Sequence, residues 1–90
     1  MDKDMIGLIV KSKKGRDIGK TYIISGEVDP YHVSLIDGRK FDFKRQKRKN
    51  KKHLCIITKA EDDIIQGIIN QDEKCLKTIF RLTELEAKEV

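Results

Sequence analysis

Between Arg39 and His53 the chain places nine lysines or arginines and a single acid, Asp42. The run reads Arg-Lys-Phe-Asp-Phe-Lys-Arg-Gln-Lys-Arg-Lys-Asn-Lys-Lys-His. So many like charges in so short a segment repel one another, and the segment lowers its free energy most by lying against a polyanion. Lysines and arginines that neutralise phosphates release condensed counterions, which is the main sequence-independent drive in nucleic-acid binding. Phe41 and Phe43 stand two apart, a spacing that predicts a strand leading into the charge cluster rather than a disordered tail.

A second basic segment precedes it, Lys13-Lys14-Gly15-Arg16-Asp17-Ile18-Gly19-Lys20. The stretch from Gly15 to Thr21 has the look of a nucleotide phosphate loop, but that motif needs four residues between its glycines and this one has three. Lys14 occupies the place of the first glycine, and Thr21 leads into an apolar Tyr-Ile-Ile run where the motif requires a helix. The composition fits a different use. Gly15 and Gly19 let the loop turn tightly and bring its backbone close to a phosphate. Lys13, Lys14, Arg16 and Lys20 direct positive charge the same way. Asp17 is expected to orient the loop by accepting local hydrogen bonds.

Other chemistry has little support. His32, His53, Cys55 and Cys75 lack the paired spacing of a zinc site, so no metal and no other cofactor is expected. Two histidines near turns and two cysteines in apolar runs do not make a nucleophile–base pair, and the reading is not an enzyme. The cysteines are too few and too distant for a disulfide framework. Both are expected as small buried hydrophobes in a reducing, cytoplasmic compartment. No apolar run approaches the ~18 residues of a membrane span, and Met1–Met5 lacks an export signal.

Ninety residues with 39% charged and 38% hydrophobic side chains make one small domain with a thin core, or one domain and an appendage. The net charge of +5 conceals a split. Residues 1–53 carry fifteen basic and seven acidic side chains, whereas residues 54–90 carry five and eight. The two parts predict two surfaces.

The elements that must position the basic segments are short. Ile6–Val10 reads as a strand; a second includes Tyr22, Ile23, Ile24 and Val28, with a bend or bulge at Gly26. Asp29-Pro30 marks a turn, and Tyr31–Ile36 alternates as a third strand. Asp37-Gly38 is a strong signal for a tight hairpin, with Arg39–Phe43 as the returning strand. Residues 44–53 then read as a loop, and Leu54–Thr58 as a fifth strand. Five short strands over about fifty residues predict a small antiparallel barrel, whose closure would remove exposed edges. Beyond Lys59 the period changes. Ile64, Ile65, Ile68 and Ile69 recur at helical spacing behind Glu61, Asp62 and Asp63, acids suited to a helix N-terminus. After a break at Asn70-Gln-Asp72, Asp72 is placed to cap a second helix to about Ala87, with Leu76, Ile79, Phe80 and Thr83 on one face. Tyr22, Phe41 and Phe43 are expected in the core, and Tyr31 or His32 exposed.

The order Ile6-Gly-Leu-Ile-Val-Lys-Ser-Lys-Lys-Gly-Arg-Asp-Ile-Gly-Lys-Thr-Tyr-Ile-Ile-Ser-Gly26 resembles the KOW motif: a glycine near the first strand, a basic glycine-bounded loop, then an apolar strand. Together with Val33-Ser-Leu-Ile-Asp-Gly38 and Lys47-Arg-Lys-Asn-Lys-Lys-His-Leu54, it is similar over residues 5–57 to the archaeal and eukaryotic large-subunit ribosomal protein family fourteen, "e" type. The small stand-alone KOW proteins of bacteria look like the same lineage. The resemblance implies a mostly β fold, an SH3-like barrel over residues 1–58; the helical spacing beyond it predicts one or two helices in an acidic appendage over 59–90. It implies structured, ribosomal RNA as partner, without a membrane or a small-molecule substrate. The implied contacts are Lys13, Lys14, Arg16 and Lys20, with Gly15 and Gly19 shaping the loop, and Lys47, Arg48, Lys49, Asn50, Lys51, Lys52 and His53. Lys44 and Arg45 join them on charge and nearness in sequence, as do Lys11, Arg39 and Lys40 more weakly. The acidic C-terminal third departs from the family's pattern. That leaves a second expectation open, a module that docks on a ribosomal or transcription protein through its C-terminal helices.

Overall fold

The computed structural model describes residues 5–87; residues 1–4 and 88–90, the outer ends of the two expected segments and most of the Met1–Met5 stretch, lie outside them. The elements are β1 (Leu8–Ser12), β2 (Thr21–Asp29), β3 (His32–Ile36), β4 (Lys47–Asn50), a single 3₁₀ turn over Lys51–His53, and β5 (Leu54–Lys59). There follow α1 (Asp62–Ile69), a second 3₁₀ turn over Glu73–Cys75, and α2 (Leu76–Ala87). The five strands form one antiparallel sheet in the order β4-β3-β2-β1-β5. The fold is mostly β and SH3-like. It bends rather than closes: β4 and β5 occupy opposite edges and are joined through the 3₁₀ turn. Register shifts beside Gly26 and between Ile9 and Val10 supply the curvature.

Neighbouring residues of the central strands go to opposite cores. Val10, Tyr22, Ile24, Val33, Leu35 and Leu54 pack inside the bent sheet. Ile9, Ile23 and Ile36 point the other way and pack with Ile64, Ile68 and Ile79 of the helices. Burial on both faces is the reason Leu8–Val10 of β1 and Tyr22–Ile24 of β2 read as continuous apolar runs, whereas β3 keeps its alternation until Leu35 and Ile36. The helices α1 and α2 are therefore a second layer that completes the core. Asp62 and Asp63 sit in the first turn of α1, and Asp72 accepts from the Lys74 N–H (3.0 Å) to cap the turn that leads into α2. Gln71, with φ of 51°, makes the break between the helices.

Four expectations are corrected. Arg39–Phe43 is not a strand. Asp37 Oδ1 accepts from the N–H groups of Arg39 and Phe41 (both 2.9 Å), and Asp42 Oδ1 from those of Lys44 and Arg45 (3.0 and 2.9 Å). These side-chain turns take the donors that a ladder would need. Nor is Asp37-Gly38 a two-residue hairpin turn. Gly38 has φ of 81°, and a Cβ there would collide with the Leu76 carbonyl and the Phe80 N–H, so the glycine is the seat on which α2 rests. The 44–53 segment is not one loop, because Lys47–Asn50 supplies the fourth strand, pairing Ser34 with Arg48. Cys55 is exposed rather than buried, since β5 lies at a sheet edge; Cys75 is half-buried. Phe41 and Phe43 are half-buried, Tyr22 is fully buried, and Tyr31 is 70% exposed while His32 is half-buried. No helix among the described residues is long and apolar enough to cross a membrane.

If α2 completes the core, truncating its central contact must weaken the whole domain. Ile79 is 0% exposed and Leu85 68% exposed on the same helix. Ile79→Ala is expected to lower unfolding free energy by about 2–5 kcal/mol in urea titration, and Leu85→Ala by less than about 0.5 kcal/mol.

Candidate nucleic-acid interface

The 13–20 loop leaves β1 and re-enters β2 as a tight ring. Gly15 and Gly19 have φ of 93° and 86°, which side-chain-bearing residues adopt only with strain. Within the ring the Gly19 N–H donates to the Ser12 carbonyl (2.8 Å), and the Lys20 N–H to that of Asp17 (2.9 Å). Asp17 is turned inward and only 8% exposed. Its carboxylate accepts from Ser12 Oγ (2.8 Å), Tyr22 Oη (2.9 Å) and Lys49 Nζ. Burial alone would raise its pKa, but the bonds from Lys49, Ser12 and Tyr22 outweigh it and hold the group at about 2. The phenol of Tyr22 is pushed well up by burial and by the same carboxylate.

Lys49 is the other half of this lock. Its ammonium reaches across from β4, donates to the Lys14 carbonyl (2.7 Å) as well as to Asp17, and is almost fully enclosed. The first loop is thus tied to the second basic segment by a side chain of that segment. A backbone bond adds to the join: the Lys13 N–H donates to the His53 carbonyl (2.9 Å). The 13–20 loop and the 51–53 turn therefore meet at one end of the sheet.

The structure divides the cations of the two segments into two groups. Lys49 and Lys47 face Asp17, the latter at 3.8 Å; Lys51 pairs with the half-buried Glu27 (3.1 Å), and Arg48 with Asp29 (3.3 Å). Asn50 caps the 3₁₀ turn by accepting from the Lys52 N–H (3.0 Å). These residues hold the scaffold. Lys13, Lys14, Arg16, Lys20, Lys44, Arg45 and Lys52 are exposed, and none has a carboxylate partner among the described residues. They are the cations available to an outside anion.

His53 reports the field they make. Its pKa is lowered by partial desolvation, then by the charges of Lys14, Lys52, Lys49 and Lys13 around it. A second concentration of charge surrounds Phe41, with Lys47, Lys40 and Arg45 at 5.4, 5.6 and 5.9 Å from its ring. Lys47 links the two, because it lies near both Phe41 and Asp17. Sequence reasoning missed this cluster, and it missed the roles of Glu27 and Asp29. No spacing rule joins Glu27 to Lys51 or Asp29 to Arg48, whereas a lone acid in a basic loop did flag Asp17. In the C-terminal helices Ile79 and Thr83 are buried and Leu76 packs against the core, whereas Ile69 and Leu85 are exposed. Among the described residues no group of three or more histidines, cysteines or acids gathers as metal ligands do.

The Asp17 lock predicts acid sensitivity with a defined sign. Its folded pKa of about 2 lies below the ordinary 3.8, so the stabilisation is full above pH 4 and is lost as pH falls toward 2. The amount is about 2 kcal/mol. Asp17→Asn is expected to remove that part of the acid transition and to weaken the fold at pH 7, read by denaturant midpoints across pH. In comparisons with known proteins, no family model matches this chain and no curated protein matches it.

Proposed function

We propose that this is a non-enzymatic RNA-binding protein that grips structured, ribosomal RNA with the end of the sheet where the 13–20 loop meets the 44–53 segment. The observation that carries the reading is the meeting itself. Two basic segments about thirty residues apart in sequence are clamped together by Lys49, Asp17 and the Lys13–His53 backbone bond. Their remaining cations have no carboxylate partner among the described residues, and bringing such charges together is unfavourable unless an anion is drawn in. The phosphate backbone supplies one, and the glycine-bounded loop lets main-chain N–H groups approach it.

RNA is favoured over DNA by the resemblance to the KOW motif, in which the same loop faces ribosomal RNA. The physics agrees in part. Structured RNA is recognised largely by shape and backbone, which suits a charged surface on which Phe41 is half-buried beneath its cations. Tyr31, the exposed aromatic, lies at the β2–β3 turn beside the paired Arg48 and Asp29.

Replacing Lys13, Lys14, Arg16, Lys20 and Lys52 with Gln should weaken binding to folded RNA regardless of its sequence. It should also lower the slope of log affinity against log salt by up to about four, measured by fluorescence anisotropy. An unchanged slope contradicts the assignment. Desolvation and then the neighbouring lysines lower the His53 pKa; phosphates bound there would offset the lysine charges, so binding takes up a proton. Affinity should then tighten as pH falls through the bound-state value and level off below the free-state value. An NMR titration of the His53 ring with and without RNA reads the shift directly.

A further inference from the structure

A cleft of about 360 Å³ opens between the end of the 13–20 loop and the side of α2. Its walls are Gly19-Lys20-Thr21 on one side, Phe80, Thr83 and Glu84 on the other, and Asp37 and Arg39 at the rim. Arg39 lies over the Phe80 ring, its guanidinium carbon 5.6 Å from the centroid, which makes a flat cation–aromatic platform. Thr21 lies in this wall with its side chain turned in, only 6% exposed, and so shapes the floor of the cleft.

The charges select the kind of occupant. Two cations, Lys20 and Arg39, and two carboxylates, Asp37 and Glu84, line the cleft, so its charge is balanced and suits a neutral occupant better than a phosphate. Asp37 Oδ1 is already committed to two backbone N–H groups, and Thr83 Oγ1 bonds the Phe80 carbonyl (3.0 Å). Glu84 is exposed and forms no ion pair among the described residues. A free carboxylate accepts best from two adjacent N–H donors, and the cation–aromatic platform offers a surface for a flat ring. Among nucleobases, guanine presents two such donors, N1–H and N2–H, on one edge.

We infer that this cleft receives one unpaired guanine of the bound RNA, stacked on the Arg39–Phe80 platform and held at its edge by Glu84. The inference rests on the proposed RNA binding and deepens it: Lys20 belongs both to the cleft wall and to the phosphate-facing loop, so a strand crossing that loop delivers its base to the cleft.

The test compares three RNA duplexes of equal length with the whole chain: fully paired, with one bulged guanosine, and with one bulged uridine. The bulged guanosine duplex is expected to bind about tenfold tighter than the paired one, within the range of one stacked base. Glu84→Gln, an exposed change that the fold tolerates, should erase the preference of guanosine over uridine and keep affinity for the paired duplex. Equal binding of all three RNAs by the unaltered protein overturns the cleft assignment and leaves backbone recognition standing. A guanosine preference that survives Glu84→Gln also overturns it. Failure to bind any of the three overturns both.

Discussion

The enclosed contact between Asp17 and Lys49 is the constraint on which the rest of this surface depends. It ties the loop between β1 and β2 to the charged strand β4, beside the Lys13–His53 backbone bond, and it does so with a pair that water barely reaches. Ion pairs of this kind are weak evidence for stability, because desolvation offsets much of the attraction. Here two neutral donors, Ser12 and Tyr22, complete the carboxylate's bonding, and the Lys14 carbonyl takes a further ammonium proton. The pair therefore acts as a positioning device. With it in place Lys13 and Lys14 stand beside Lys52 and His53; without it the Lys13–His53 backbone bond would be left to hold the loop against β4's end.

The same division of labour runs through the basic stretch. Alternate residues of β4 point inward to acids or outward to solvent, as the two-residue period of a strand requires. Lys47 and Lys49 turn toward Asp17, while Arg48 turns away and pairs with Asp29 at the far hairpin. A run of like charges thus becomes half scaffold and half surface. Behind it, the helices close the outer face of the sheet over Ile9, Ile23 and Ile36 and so make a core from a chain too short to fill a barrel alone. Gly38 sets how closely α2 can approach, which in turn fixes Phe80 and Thr83 beside the 19–21 segment.

Much of this was legible in the residues. Ile6–Val10 and Tyr22–Val28 announced strands, Gly26 its bulge, and Ile64, Ile65, Ile68 and Ile69 a helix. Asp72 announced the start of the helical run that includes α2, and Asp17 its inward role. What stayed hidden has physical causes. In Lys47–Asn50 every position is polar, so no hydrophobic alternation marks the strand; only the pairing with β3 creates it. Arg39–Phe43 carries the aromatic spacing of a strand, but Asp37 and Asp42 capture its backbone donors locally. Asp37-Gly38 has hairpin chemistry, and the glycine's freedom is spent on contact with a helix forty residues further on. The sorting of cations into paired and free depends on Glu27, Asp29 and Asp17, acids whose partners lie 19 to 32 residues away.

The measurement that tests the central claim most directly is an NMR titration of the whole chain with a folded RNA at low and high salt, followed at backbone amides. Binding through the clamped basic end predicts salt-sensitive shifts concentrated at Lys13, Lys14, Gly15, Arg16, Lys52 and His53, fading toward α1. Shifts confined to α1 and α2, or no shifts at any salt, would contradict the account.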